Sequence, residues 1–417
     1  MAKLGVLLVG FNGGVSSTAV VSAIAIAKGL SPKYGLYTET MISSVKSGKI
    51  DRHDSRPIKE VFDLVEFEDL VFGGWDIEDR DLYSCAKELK IAPEGIINSL
   101  AEELKLLRPW PGIFLKRYVR NLDANYVLER GTLFDKAQEL RSNIREFKLK
   151  NGLSKVVVVN VASTEALPEK THLHDSLALF EQGLHDNNLN ITPAQIYAYA
   201  AIAESAPYIN FTPSLGEEIG ALQELAKKTK TPVAGKDGKT GQTLIKTAVA
   251  PIFRLKNLRV TGWFSTNILG NKDGYVLDDP GSLKSKIVTK SGVLDQILGY
   301  SPYHKVNINY YPPRGDDKEA WDNIDFLGIL GMPMQIKINF LCRDSILAAG
   351  SVLDLVRLLD YCQREGESGI QEQLSFFFKC PTAVSGKESI HDFFKQEGML
   401  KDWFREKAFG VTYNKSP

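Results

Sequence analysis

The stretch Leu4-Gly5-Val6-Leu7-Leu8-Val9-Gly10-Phe11-Asn12-Gly13-Gly14-Val15-Ser16-Ser17 decides the fold. Its first six residues form a continuous apolar run, the pattern of a strand covered on both faces in a parallel sheet. A glycine turn follows. Ser16–Lys28, rich in alanine and other small residues, reads as a helix opening on that turn, with Ser16 or Ser17 placed to cap it. Strand, glycine turn and helix in this order open nucleotide-binding α/β domains. The spacing is not GxGxxG, so the turn has two readings. Its glycines let a pyrophosphate approach backbone amides at a helix start, or they only pack helix against strand.

Outward from this start the theme recurs. Asp69–Phe72 leads into Gly73-Gly74-Trp75-Asp76, and Lys155–Val161 is a second buried strand followed by Ala162-Ser163-Thr164. Asp76 reads either as an acceptor for ribose hydroxyls or as a surface turn residue. Helical patterns cover Phe134–Lys148 and Pro193–Ala203, and short strands at Tyr208–Phe211 and Thr231–Gly235 continue the alternation. Alternating buried strands and helices predict a doubly wound α/β sheet. After about residue 250 the texture changes to alternating, antiparallel-looking strands in LRVTGWFST, HKVNINYY and MQIKINFL, which predicts a second domain with one sheet face covered. Ser345–Tyr361 then returns to helix.

Composition narrows the function classes. The 417 residues carry 51 Lys plus Arg against 51 Asp plus Glu, a net charge of +0, so nothing in the balance suits a polyanionic partner such as nucleic acid. An apolar share of 43% and a charged share of 24% predict a folded globular chain, and the length predicts two to three domains at roughly 150 residues each. Zero net charge permits self-association. Cys85, Cys342, Cys362 and Cys380 show no CxxC spacing and read as reduced thiols. No apolar window approaches the ~20 residues of a membrane span, and the first apolar run is too short for a signal segment. A cytoplasmic enzyme without membrane or nucleic-acid partners is the expectation.

Lysines stand in unusual contexts in the second half. Gly235-Lys236-Asp237-Gly238-Lys239-Thr240-Gly241-Gln242-Thr243 reads as a flexible turn before a helix, either a phosphate cradle or a solvated polar loop. Asn271-Lys272-Asp273-Gly274-Tyr275 is followed by Lys284, Lys286 and Lys290. Lys286 and Lys290 are four apart, so on a helix they would share one face, where like charges repel; such a pair reads as a solvated face, or as useful when an anion binds between them or one is desolvated into a base. Lys318 lies in Gly315-Asp316-Asp317-Lys318. Lys379 sits behind Phe376-Phe377-Phe378, where a partly buried ammonium needs a partner, and Asp344 is a candidate. His172-Leu173-His174 invites a metal reading, but no convincing third ligand stands nearby, and a structural role is the reading preferred.

Taken together, the segments VGFNGGVSST, NVASTEALPE, PYINFTPS, KDGKTGQTLIKT, GWFSTNILGNKDGYVL, KSKIVTKSGVLD, GDDKEAWD, CRDSILAA and LSFFFKCP resemble the myo-inositol-1-phosphate synthase family over almost the whole chain. The start at the first strand resembles the shorter prokaryotic form. The resemblance implies a Rossmann-type NAD-binding domain over 1–243 and 349–417, interrupted by an inserted α+β catalytic and oligomerisation domain over 244–348. It implies an isomerase. Bound NAD oxidises D-glucose 6-phosphate at carbon 5, the keto sugar enolises, carbon 6 attacks the carbon 1 aldehyde, and the same cofactor reduces the ring ketone to give 1L-myo-inositol 1-phosphate.

The resemblance also implies the residues. Lys286, Lys318, Lys379 and Lys290 match the family's active-site lysines, with Lys286 and Lys379 in proton transfer and oxyanion stabilisation and Lys318 on an enolate or keto oxygen. Lys290, Thr240, Gly241 and Thr243 match the phosphate-holding positions. Gly10, Asn12, Gly13, Gly14 and Val15 in the turn, Asp76 at the adenosine ribose, Ala162 and Ser163 after the central strand, and Asp237 and Asp344 near the nicotinamide match the NAD positions. Asn271 and Asp273 match a loop closing over substrate. Lys272 and Val15 stand where eukaryotic members carry asparagine. A homotetramer is implied, and a divalent or monovalent cation is left open, with Asp273, Asp316 and Asp344 able to serve it. Two other readings compete: a net NAD-dependent sugar-phosphate dehydrogenase, and a silent NAD-binding paralogue, which the lysine set argues against.

Overall fold

A computed structural model describes residues 3–46, 49–169, 171–282, 292–384 and 388–410. Leu4–Val9 forms β1, and all six of its residues are buried. Leu4, Val6 and Leu8 enter one apolar cluster while Leu7 and Val9 enter another. That is the two-residue period of a strand sandwiched between two helical layers, which is why the run is apolar throughout.

In chain order the further strands are β2 (Met41–Lys46), β3 (Lys49–Pro57), β4 (Leu70–Asp76), β5 (Trp110–Pro111), β6 (Lys155–Asn160), β7 (Tyr208–Asn210), β8 (Pro232–Gly235), β9 (Arg259–Leu269), β10 (Tyr303–Tyr310), β11 (Asp317–Leu327), β12 (Pro333–Arg343) and β13 (Gly369–Ile370). The helices that matter here are α1 (Gly14–Ala27), α2 (Leu133–Asn151), α3 (Pro193–Ala203), α4 (Gly241–Leu255), α5 (Lys272–Leu277), α6 (Val293–Leu298), α7 (Asp344–Arg364) and α8 (Phe393–Phe409).

Seven strands form one sheet in the order β13-β8-β7-β6-β1-β4-β5, and every pairing in it is parallel. The chain runs from β1 out to β4 and β5, then returns through β6 to the other edge. The strand order therefore reverses between β1 and β6, the switch point at whose carboxyl ends open α/β sheets bind ligands. Helices α1, α7 and α8 cover one face and α2 and α3 the other. Of the described helices, none is long and apolar enough to cross a membrane.

Two expectations for this sheet need correction. Gly73 and Gly74 lie inside β4 and form no turn. A Cβ on Gly73 would sit 2.9 Å from the Phe147 ring, so this glycine lets α2 close on the sheet. The N-cap of α1 is Gly13, not Ser16 or Ser17, both of which are buried within the helix.

A second sheet of four strands has the order β10-β9-β11-β12. The expected antiparallel texture holds for β11 against β9 and β12, but β9 and β10 are parallel. Helices α4 and α6 cover one face through Ala250, Phe253, Trp263, Val293 and Ile324. Strand β11 escaped the sequence pattern because its inward positions include Lys318 and Asp322 beside Ala320 and Ile324, which breaks the apolar alternation. The bounds expected for the inserted unit fall within α4 and α7.

Candidate active site

The glycine turn is shaped by its own backbone. Gly10 has φ +85°, and a Cβ there would lie 3.0 Å from the Ala162 Cα, so β1 and the segment after β6 meet only through glycine. Gly10 and Phe11 both donate to the Trp75 carbonyl. Ser16, one turn into α1, donates its hydroxyl to the Gly10 carbonyl at 2.7 Å, which locks the turn from beneath instead of capping the helix. The first turn of α1 holds no acidic residue, and its leading N–H groups have no partner inside the helix.

Asn12 and Asp76 complete this end. The Asn12 N–H donates to Asp76 Oδ2 at 2.7 Å, and Ile77 and Glu78 donate to Oδ1 at 2.7 and 3.2 Å. Burial raises the Asp76 pKa, against those three backbone hydrogen bonds. Asn12 Nδ2 donates to the carbonyls of Glu78 and Arg80. Asn12 Oδ1 is buried and accepts no hydrogen bond within the described residues. A glycine cradle with such an acceptor beside it suits a dinucleotide with its pyrophosphate on the turn.

Opposite stands the Gly235–Thr243 segment, expected as a flexible turn. It is instead buried and tightly laced. Lys236 donates to the Cys380 carbonyl, Lys239 to Phe377, Lys379 to Asp237, and Asp237 and Gly238 to Thr212 and Phe211. The peptide Gly235-Lys236 is cis, and Asp237 sits at φ +59°. Lys239 donates to Gln396 of α8 and lies over the Phe393 ring, and burial pushes its pKa down to about 7. The solvated-loop reading is therefore wrong for this segment.

Two lysine–aspartate pairs meet here. Lys379 Nζ stands 3.1 Å from Asp237 Oδ1, with residue exposures of 6% and 3%. Lys318 Nζ stands 2.6 Å from Asp344 Oδ2. Asp344, the anticipated partner of Lys379, thus belongs to Lys318, and Asp237 takes Lys379. Gly241, at φ +54°, presses on the second pair: a Cβ there would lie 2.9 Å from Asp344 Oδ1 and 3.4 Å from Lys318 Nζ. At such distances in a water-poor site a buried ammonium keeps its charge compensated while remaining able to bind a developing oxyanion.

Both ends open on one cavity of about 300 Å³. Gly10, Asn12, Gly13, Gly14, Val15 and Asp76 line it from the turn; Ala162 and Ser163 line it from beyond β6. Asp237, Thr240, Asp344 and Lys379 line the lysine end, and Asn271 and Asp273 line it from the start of α5. Asn271 caps α5 through Gly274 N and donates to Asp316 Oδ1 at 2.9 Å; Ser345 donates to the other Asp316 oxygen at 2.6 Å. Thr243 is buried one turn along α4 and does not line the cavity. Lys286 and Lys290 lie outside the described residues.

Several lining groups were not singled out from sequence: Glu165, Glu78, Arg80 and Ser345. Glu165 is fully enclosed and accepts from Ala194 N at 3.0 Å, and burial pushes its pKa up to about 7. Its signal was weak, a lone acid two residues after Ser163. His172 pairs with Asp175 and His174 with the Asn190 carbonyl. No group of three metal-binding side chains converges among the described residues.

Similarity to known proteins gives the family. The family model described as myo-inositol-1-phosphate synthase, an NAD-binding family, matches residues 4–405. Inositol-3-phosphate synthase 1 of Bacteroides thetaiotaomicron is 43% identical over 97% of this chain and 95% of its own length. Inositol-3-phosphate synthase 1 of Mus musculus is 30% identical over 97% of this chain and 78% of its own. The crystal structure of inositol-3-phosphate synthase from Caenorhabditis elegans superposes with a TM-score of 0.91 at 26% identity, covering 100% of this chain and 90% of that one.

Proposed function

The chain belongs to the myo-inositol-1-phosphate synthase family, and from that premise we propose how its cavity performs the family's reaction. The activity is the NAD-dependent isomerisation of D-glucose 6-phosphate to 1L-myo-inositol 1-phosphate. Bound NAD would supply the hydride chemistry, oxidation at carbon 5 and reduction of the closed ring. Gly10, Asn12, Gly13, Gly14 and Val15 would hold its pyrophosphate, Asp76 the adenosine ribose, and Ala162, Ser163, Asp237 and Asp344 its nicotinamide half. The buried Asn12 acceptor and the Gly10 cradle support that fit.

The observation that carries the reading is that Lys379 and the Asp344 carboxylate, which holds the buried Lys318 at 2.6 Å, line the same cavity as the glycine turn. Lys379 relays the proton of the carbon 5 hydroxyl as oxidation proceeds: its ammonium passes one proton to Asp237, and the amine so freed takes the hydroxyl proton. Lys318 stabilises the keto and enolate oxygen, with Asp344 compensating its charge. Electrostatic stabilisation of oxyanions by preset cations in a dry site is the largest contribution a protein makes to such steps. Lys286, outside the described residues, is the further proton-transfer lysine that the resemblance implies. Thr240 holds the substrate phosphate at the start of α4, where Gly241 and Thr243 stand behind the cavity wall; Lys290, outside the described residues, is the further phosphate-holding lysine that the resemblance implies, and Asn271 and Asp273 close over the sugar.

We further propose an inserted catalytic and oligomerisation unit over 244–348 within an NAD-binding unit over 1–243 and 349–417, a homotetramer, and a cytoplasmic setting. A cation would act through Asp273, Asp316 or Asp344. Incubation with glucose 6-phosphate and catalytic NAD, with and without a chelator, tests the reading. Inositol phosphate forms without net NADH; stoichiometric NADH with no inositol phosphate overturns it in favour of a dehydrogenase.

A further inference from the structure

The dinucleotide end of the cavity carries two cations that the reaction does not use. Arg80, four residues past the end of β4, and Lys272, the first residue of α5, both line it. Each is held by a carboxylate that lines the same cavity. Lys272 Nζ is 2.6 Å from Glu78 Oε1. Arg80 Nη2 is 2.6 Å from Glu88 Oε2, and its Nη1 is 3.8 Å from Glu78 Oε2. Glu78 thus stands between the two cations and faces both.

The position matters because of what the end of this strand does in dinucleotide-binding sheets. An acid there accepts from the free ribose 2′-hydroxyl, and a nearby arginine accommodates a 2′-phosphate. Asp76 occupies the acid's place, but its oxygens already accept three backbone N–H groups. The loop that follows is fixed, since Asn12 Nδ2 holds the carbonyls of Glu78 and Arg80 at 2.9 and 3.3 Å. A 2′-phosphate entering here would meet a ready pair of basic groups if nothing neutralised them.

We propose that Glu78 sets the preference for NAD over NADP by neutralising Lys272 and Arg80, so that the carboxylate, and not a shortage of cations, refuses the 2′-phosphate. The proposal rests on the NAD reading above and names the specificity residue of that same site. Removing the Glu78 charge frees Lys272 of its ion pair and Arg80 in part, since Glu88 still holds one guanidinium nitrogen and attracts Lys272 from farther off.

The test is equilibrium binding of NAD⁺ and NADP⁺ to the full chain by calorimetry, for wild type, Glu78→Gln, Lys272→Met and the Glu78→Gln/Lys272→Met double variant, with melting temperatures recorded for each. In Glu78→Gln the ratio Kd(NADP⁺)/Kd(NAD⁺) falls about tenfold, the worth of one added charge contact. The gain shrinks with added salt, and the double variant loses most of it, while Lys272→Met alone does not lower the ratio. An unchanged ratio in a folded Glu78→Gln protein that binds NAD⁺ overturns this proposal alone. A wild-type chain that binds neither dinucleotide overturns the NAD reading and this proposal with it.

Discussion

The two ends of the cavity are built by opposite means. At the dinucleotide end the backbone does the work: a left-handed glycine, the N-terminus of α1, and an aspartate occupied by main-chain N–H groups. All of it lies within two strand ends and one turn. At the lysine end side chains do the work, and they come from far apart, Lys379 and Asp237 being 142 residues distant and Lys318 and Asp344 26. A backbone site tolerates many side chains but no added Cβ where it is tight. A side-chain site tolerates backbone change but not the loss of one charge, because the other is then left buried and unpaired.

The largest effect is therefore expected from Lys379→Ala. Product formation falls on the order of 10²- to 10⁴-fold, the scale of a lost proton-transfer group, and the protein is destabilised, by up to about 3–5 kcal/mol, because the buried Asp237 loses the Lys379 cation. Adding Asp237→Asn separates the two losses: thermal melting of the double variant recovers much of the stability while the product assay shows no recovery of turnover. Near-wild-type turnover in Lys379→Ala would place the chemistry elsewhere.

A smaller effect probes the backbone end. Gly10→Ala and Gly29→Ala both put an alanine at positive φ, +85° and +70°, and both incur roughly 1–2 kcal/mol of left-handed strain. Only Gly10 also meets a neighbour, the Ala162 backbone, whereas nothing lies within 4 Å of a Cβ on Gly29. NAD affinity in Gly10→Ala is expected to fall about tenfold or more, equivalent to about 1.4 kcal/mol, and that in Gly29→Ala to stay put. Equal NAD affinities in the two variants, measured by calorimetry, would mean that the cradle is not where the cofactor sits.

The same contrast explains what could be read from the sequence. The parallel sheet, β1, β6 and the glycine turn follow from local runs, and the boundaries of helix α3 and strand β1 fall where periodicity puts them. What stayed hidden depends on pairing across the chain. Nothing in KDGKTGQT announces that Phe377, Cys380, Phe211 and Thr212 lace it into the interior, because a polar loop and a buried polar loop have the same composition. The partner of Lys379 was likewise unreadable: Asp237 and Asp344 are equally plausible by residue type, and only the fold brings one of them to each lysine. β11 was missed for a related reason, since Lys318 and Asp322 occupy inward positions that a periodicity argument reserves for apolar side chains.

Asp322 leads to the smallest effect, and its sign is the informative part. It accepts from Trp263 Nε1 and Ser265 Oγ, each at 2.7 Å, beneath α4. Lys246 of α4 donates to the same Ser265 at 3.0 Å and lies 2.9 Å from His304 Nε2. Burial pushes the Lys246 pKa down to about 8, against the attraction of Asp322. In the unfolded chain this lysine holds its proton up to about pH 10.4. Between pH 8 and that value the unfolded state binds more protons, so this lysine makes stability rise with pH, by at most about 1.4 kcal/mol per unit. Below pH 8 both states are protonated, and the cost of burying the charge is present in full. Lys246→Met removes that cost and loses a hydrogen bond worth about 1 kcal/mol. Its melting temperature should therefore gain on wild type at pH 7 and fall behind as pH approaches 10. Lys239 titrates in both proteins and cancels in the difference. Parallel stability curves for the two proteins across that range would mean that Lys246 keeps its charge in the fold, and that the lysine end of this molecule holds a third ion pair instead of a neutral amine.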